Sequence, residues 1–487
     1  MAVSERQNQT LNTVRGLTDA APAGGTRNIL GDFLSRLART FIIDSVPSAV
    51  RSEFTHMKRP INYPPILPAL MAICTAVFPA FAADDPATVP VTRTAEIDAA
   101  RDAKAAALTP DQDSKVERAF LKINSDDRIM RLLAAGYSGF GLAVGNMVTG
   151  GGFAIGPKYS RPDLLNGNLT INLAGQVSTK KYYQMTGEVD VPKLFHNHLE
   201  LNFLGGHRNY SSIDYYGYGP DSEKSKRSNY RLEDTYFDAI GIVHPVRYAS
   251  VGGSVGGLLV NVGPGTNSIY ASTDTVFTPA QVPGLQQQTN YFRSSVFGQV
   301  DFRDNPGGPK SGGLYTLQYN WFDDHKLGLY GFRRMDIDAQ QIIPFLNKTH
   351  RFALRAQGTF TESDGHQTTP FYLQPVLGGA NDLRGFRPFR FSGRDKVVYN
   401  AEYQWEIFAG LEGAVFFDAG KVMNRRGLLA FSDLETDAGF GLRFNARDTT
   451  FLRVDVGFSH EGFAVSAVFS DFFRSRRLGT TTAQPLY

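Results

Sequence analysis

The sequence predicts an all-β protein: a sixteen-stranded antiparallel transmembrane β-barrel with a short N-terminal periplasmic helical segment. Three observations predict it. Sixteen strand-like runs follow one another between residues 138 and 473. Many of them alternate an apolar face with a polar one, which is the pattern of a strand held between lipid and a polar lumen. The connections between them alternate between short and long, the asymmetry of periplasmic turns and extracellular loops.

The elements follow in chain order. Residues 1–56 read as upstream sequence before a true initiator at Met57, with a cytoplasmic extension as the rival reading. Residues 57–82 read as a secretory signal. Met57-Lys58-Arg59 is its basic start, Ile66 to Phe78 its apolar run interrupted by Pro68, and Ala80-Phe81-Ala82 its cleavage site. A transmembrane helix is the competing reading of that run. Cys74, the one cysteine, sits inside it after Ile73, where a lipidation site would need a small residue. Cleavage at Ala82 leaves an exported chain without disulfides.

Residues 83–135 read as a periplasmic linker with a short helix. Thr109 caps it, Pro110 takes the first helical position, and Gln112 completes the capping pattern. Val116, Phe120 and Ile123 supply an apolar stripe. The barrel is placed at 136–473, with a C-terminal tail at 474–487.

The sixteen runs are 138–148, 151–163, 168–179, 181–193, 198–210, 230–244, 249–262, 289–303, 312–323, 330–343, 349–361, 396–408, 411–422, 435–446, 450–459 and 462–473. Each is long enough to cross a bilayer when tilted. Long connections fall at 211–229, 263–288, 362–395 and 423–434, all after odd-numbered runs. A soluble β-sandwich needs neither this asymmetry nor apolar outer faces on consecutive strands. A mean hydropathy of −0.23 agrees with a barrel, whose two faces cancel. A net charge of +3 over 487 residues excludes a nucleic-acid footprint.

Parity puts Asn400, Glu402 and Gln404 on one face of a strand, and Glu412, Phe416 and Asp418 on the matching face of the next. The connection at 362–395 carries Arg384. Folded into the lumen, its guanidinium fork can meet these carboxylates. An exposed loop arginine beside solvated acids is the plainer alternative.

Four motifs then carry a resemblance. Leu377-Gly378-Gly379 leading to Arg384-Gly385-Phe386 resembles the loop signature of the BamA/TamA superfamily of bacterial surface-antigen barrels. Asp301-Phe302-Arg303-Asp304-Asn305-Pro306 resembles that family's turn between strands 8 and 9. Phe416-Phe417-Asp418-Ala419-Gly420 and Gly439-Phe440-Gly441-Leu442-Arg443 resemble its signatures on strands 13 and 14. The resemblance spans about residues 138–473. It implies a sixteen-stranded barrel with the Arg384 loop tucked inside, paired to Asp418 with Glu402 nearby. Family members that insert or secrete proteins carry periplasmic POTRA repeats, and the residues before this barrel are too few for one. The family's last strand commonly ends the chain on an aromatic residue, whereas here Arg474 to Tyr487 follow Phe473.

The expected function is insertion or translocation of polypeptide or lipid at the Gram-negative outer membrane, with a separate periplasmic partner. A weak seam between strands 1 and 16, poor in side chains at Gly136, Gly139, Gly141 and Gly145, would open laterally. The Arg384 loop would brace the opposite wall. A passive pore or structural surface barrel is the alternative. A barrel-embedded hydrolase is a second, resting on Gly252-Gly253-Ser254-Val255-Gly256. That match lacks the strand–turn–helix an elbow needs, and His244 is set far from Ser254 along the strands. The expectation is no enzyme, no catalytic residue, no cofactor and no metal, the histidines being scattered. Expected partners are outer-membrane lipids and lipopolysaccharide, the barrel assembly machinery for the chain's own insertion, and a polypeptide cargo. Tyr215-Tyr216-Gly217-Tyr218-Gly219 reads as an interfacial girdle anchor or as loop packing. Lys224-Ser225-Lys226-Arg227 reads as a lipopolysaccharide contact or a solvated loop.

Overall fold

Alternation of small or apolar with polar residues becomes sixteen strands in one antiparallel sheet, each paired with its chain neighbours. The computed structural model describes residues 139–473 apart from 196–197, 347, 364, 425–430 and 447–448, together with 478–479 and helical residues 99, 101 and 103. The expected upstream segment, signal, capped helix, Gly136 and the end of the tail lie outside the described residues.

The strands are β1 (Phe140–Gly145), β2 (Ala154–Leu164), β3 (Leu169–Ser178), β4 (Tyr183–Leu194), β5 (Leu199–Tyr215), β6 (Ser228–Val246), β7 (Ala249–Pro264) and β8 (Asn290–Asp301). They continue as β9 (Gly312–Asp324), β10 (Phe332–Phe345), β11 (His350–Glu362), β14 (Asp395–Phe408), β15 (Leu411–Met423), β16 (Glu435–Ala446), β17 (Thr449–Ser459) and β18 (Gly462–Val468). Within the β11–β14 connection, β12 (Val376–Leu377) and β13 (Phe391–Ser392) form a separate small hairpin. That connection is therefore a folded element.

Every predicted run has its strand, but several boundaries move. β5 and β6 pair on to Tyr215 and Ser228, well into the expected loop. In the extension, Tyr215 packs inward against Phe371 of the β11–β14 connection, which Tyr230 at the start of the expected run also meets, and this gives the extra rungs something to bury. β1 is shorter at both ends than 138–148. The last run, 462–473, leaves the sheet after Val468, and Phe472 and Phe473 turn into the lumen and are buried.

The pleat sorts the side chains. On β16, Phe440 and Leu442 face out and are exposed, while Asp437 and Arg443 face in and are buried. Phe203, Phe237, Leu317 and Phe352 extend the exposed apolar belt around the sheet. Water would be a poor solvent for so continuous a band, and lipid is a good one. At the end carrying the long connections, Tyr215, Tyr230, Phe277, Phe371 and Tyr372 pack edge to face. The aromatic run at 215–219 thus begins with loop packing, both Tyr215 and Tyr216 being buried. The neighbouring basic run is engaged by its own chain: Arg227 donates to Asp214 at 2.8 Å and Lys226 to Glu223 at 2.9 Å.

The sheet has two ends. Among the described residues no ladder joins β1 to β18. Contacts between the two sides lie just past the strands, where the far end of β1 meets the near end of the segment leaving β18. The Phe469 N–H donates to the Asn146 side-chain carbonyl at 3.0 Å, and the Phe153 and Phe469 rings lie 5.4 Å apart.

Candidate functional site

β14 and β15 run antiparallel with Asn400 opposite Asp418 and Glu402 opposite Phe416. The same parity therefore aims Asn400, Glu402, Phe416 and Asp418 at the lumen. The β11–β14 connection descends from the loop end and inserts Arg384 among them. Arg384 is 1% exposed. Its Nε donates to Asp418 Oδ2 at 2.8 Å and its Nη2 to Asp418 Oδ1 at 2.9 Å, a two-toothed bond. Its Nη1 donates to Glu402 Oε2. The guanidinium is sandwiched between the rings of Phe416, at 3.5 Å, and Phe472, at 4.2 Å.

A second rank of charges extends the cluster. Arg443 Nη2 donates to Glu402 Oε1 at 2.8 Å, and its Nη1 donates to Asp455 Oδ1 at 2.6 Å. Arg453 donates to Asp455 Oδ2 at 2.7 Å and returns to the loop at the Ala380 carbonyl, also 2.7 Å. Three guanidiniums thus alternate with three carboxylates. Buried charges persist where each has partners in good geometry. Asp437, opposite Asp418 on the neighbouring strand, is also buried.

Close backbone approach accounts for two glycines. A Cβ on Gly385 would sit 2.6 Å from Asp437 Cβ, and one on Gly439 would sit 2.1 Å from the Val456 carbonyl and 2.5 Å from the Phe416 ring. Phe386, next in the chain, packs with Leu377, Leu383, Phe391, Val398 and Val422 in a small apolar cluster under the loop. Gly420 on β15 lies against Leu377 of this cluster, and Gly441 on β16 lies beside the Arg443–Asp455 pair.

The structure therefore brings together Arg384, Gly385, Phe386, Glu402, Phe416, Asp418, Gly420, Gly439, Gly441 and Arg443. It sets Asp301, Arg303, Asp304 and Asn305 apart, in the turn between β8 and β9. There Arg303 grips Asp301 through Nε at 2.9 Å and Nη2 at 2.7 Å. Asp304 Oδ1 accepts the N–H groups of Lys310 and Ser311 at 2.9 and 3.0 Å, and Asn305 accepts that of Gly307 at 3.0 Å. Arg453, Asp455 and Phe472 belong to the cluster although no motif singled them out. The inward parity of Arg453 and Asp455 was their one sequence signal.

The loop does not brace the wall opposite the seam, as expected from sequence. It binds β14 to β17, directly beside β18, and reaches across to the other side. Asn381 Nδ2 donates to Thr149 Oγ1 in the β1–β2 connection at 3.1 Å, and Pro388 packs within reach of Gly150. A cavity of about 310 Å³ lies between this loop and the two sheet ends, with Val148, Thr149, Asn381, Arg384 and Ser466 among its walls.

Ser254 is mid-strand in β7. Its hydroxyl is 2.7 Å from that of Ser295 and donates to the Gly479 carbonyl at 2.8 Å. Ser254 pairs with Ile240, which leaves His244 four residues further along, about 13 Å away at the usual rise per residue. Among the described residues the serine motif has neither elbow nor base.

The Omp85 superfamily domain matches residues 159–462. Among solved structures, BamA from Haemophilus ducreyi lacking POTRA domains 1–3 is similar at 13% identity with a TM-score of 0.51, covering 68% of this chain and 69% of that one. CdiB from Escherichia coli is similar at 12% identity with a TM-score of 0.48, covering 68% of this chain and 62% of that one. At such identities the likeness is one of fold. No curated protein sequence matches the chain.

Proposed function

Because the chain belongs to the Omp85 superfamily, a family of outer-membrane barrels, we propose that it inserts or translocates polypeptide or lipid at the Gram-negative outer membrane, working with a separate periplasmic partner. Export by cleavage after Ala82 and insertion by the barrel assembly machinery are parts of this reading. So are lipid against the apolar belt and lipopolysaccharide at the loop end.

One observation carries it: the sheet's two ends, β1 and β18, are short and face each other without a ladder. An edge strand presents a row of unpaired backbone donors and acceptors, a template for another extended chain. Parting two strands that share no ladder costs far less than breaking any other strand pair in the wall. The Arg384 cluster keeps β14 to β17 rigid beside the gap. A passive pore, the alternative, needs an open lumen, and here the β11–β14 connection and the C-terminal segment both enter it.

The seam can be closed by design. A Cβ on Gly145 stands 3.7 Å from that of Phe469, within the range a disulfide spans. Oxidised Gly145→Cys/Phe469→Cys protein is expected to lose function in cells, read as altered outer-membrane protein or lipid composition, and a reductant is expected to restore it. Full cross-linking with unchanged growth and unchanged membrane composition would sink the proposal. Planar-bilayer recording of wild-type barrel is expected to show rare flickering; steady large conductance would favour the pore.

A further inference from the structure

The lumen wall is mostly polar, yet a few inward positions are apolar without serving the Arg384 loop. Ile240 on β6 and Phe297 on β8 are buried, as are Ile342 on β10 and Ala353 on β11. Their strand neighbours on the same face are Asp238, Ser295, Gln340 and Arg351. An isolated apolar pair in a polar lumen gains from burial only if something covers it. Both pairs are covered by the chain's own C-terminal segment. Phe472 and Phe473 pack on Ile342 and Ala353, and Leu478 packs on Ile240 and Phe297.

Between and beside these two sockets, the wall binds the segment through its backbone. Arg355 Nη1 donates to the Phe472 carbonyl at 3.2 Å, and Arg303 Nη1 to the Phe473 carbonyl at 2.7 Å. Ser254 donates to the Gly479 carbonyl at 2.8 Å, and the Gly479 N–H donates to Gln318 Oε1 at 3.3 Å. Bonds to backbone groups do not depend on which side chains the bound segment carries. The sockets supply the selectivity, for a pair of aromatic residues followed by an aliphatic one. Backbone recognition combined with side-chain pockets is how extended peptides are bound elsewhere.

We propose that this groove is a binding site for an extended, aromatic-bearing polypeptide, and that the chain's own C-terminal segment occupies it as a displaceable plug. Displacement reaches the seam by contact. The segment leaves β18 at Phe469, which holds Asn146, and Phe472 forms one face of the sandwich around Arg384. Withdrawing the segment loosens both. The proposal rests on the reading of the barrel as a polypeptide conduit, but its test does not, because binding is measured on purified barrel without any cellular readout.

The probe is a fluorescent peptide with the sequence of residues 469–487. It is expected to bind a barrel truncated after Ser470 saturably, and the full chain at least tenfold more weakly. Serine at the positions of Phe472 and Phe473 in the peptide is expected to cost a further tenfold or more. Equal binding to both barrels, or indifference to the two phenylalanines, overturns the proposal. A second measurement needs no variant. Excess unlabelled peptide added to the full-length barrel is expected to speed proteolytic removal of its C-terminal segment at least fivefold, although a competing substrate alone would slow it. Unchanged or slower cleavage overturns displacement even if the truncated barrel does not fold.

Discussion

Replacing Arg384 by methionine removes the centre of the charge cluster while keeping most of its volume. Three side-chain hydrogen bonds to carboxylates are lost. At about 1.5–3 kcal/mol for each charged bond the gross loss is large. The guanidinium's own desolvation cost is recovered, so the net falls to the about 3–5 kcal/mol typical of breaking a buried ion pair. The damage is unequal. Glu402 keeps Arg443 and Gln404. Asp418 keeps the amide of Asn400 at 2.8 Å and the main-chain N–H of residue 384 at 3.3 Å, and stands opposite Asp437. The stranded charge is therefore that of Asp418, and Asp418→Asn in the Arg384→Met background is expected to recover about half of the loss. Residues in one network couple in this way. Urea unfolding from lipid vesicles, followed by tryptophan fluorescence and by heat-shifted gel mobility, measures both variants. A loss below about 1 kcal/mol, the size of an exposed pair, or no recovery with asparagine, would refute the picture of a water-excluded cluster.

Gly439→Ala puts a methyl group 2.1 Å from the Val456 carbonyl, and the overpacking is expected to cost about 1–3 kcal/mol in the same unfolding assay. Phe440→Lys on the outer face of β16, now 54% exposed, is expected to destabilise the barrel in vesicles by about 2–4 kcal/mol if it sits near the bilayer midplane, and much less in detergent. An equal effect in both media would place it outside the hydrocarbon. Ser254→Ala is expected to leave any esterase signal of a preparation unchanged, since among the described residues the hydroxyl has Ser295 and a backbone carbonyl as partners; loss of signal would reopen the serine motif.

The wall of the barrel was legible because each strand stands between two solvents, and parity reports which side is which. Phe440 against Arg443, or Phe417 against Asp418, can be sorted by sequence alone. Strand ends were less legible. Phe469 continues the outward alternation of β18, so the run read straight on through Phe472 and Phe473, although the lumen offers those two rings a better place than the sheet does. Tyr215 extends β5 because Phe371 waits for it, and Phe371 is more than 140 residues away in sequence. Parity named Arg384, Glu402 and Asp418 as possible partners but left an exposed loop arginine open; their pairing was implied by the resemblance of the loop and strand motifs. Arg453, Asp455 and Phe472 could not be tied to them, since only the curvature of the sheet brings β17 and the C-terminal segment to the same point.

The loop that spans the two sheet ends is fastened unequally. On the β14–β17 side it is riveted by the Arg384 and Arg453 bonds, with Ser459 donating to the Gly385 carbonyl at 3.0 Å as well. On the other side it has uncharged attachments, the Asn381–Thr149 hydrogen bond and the contact at Gly150. If the seam parts as proposed, the gap is expected to widen unsymmetrically. β18 and the strands behind it would then be the post and the β1–β2 hairpin the leaf that swings, so the edge first offered to an incoming chain would be that of β1.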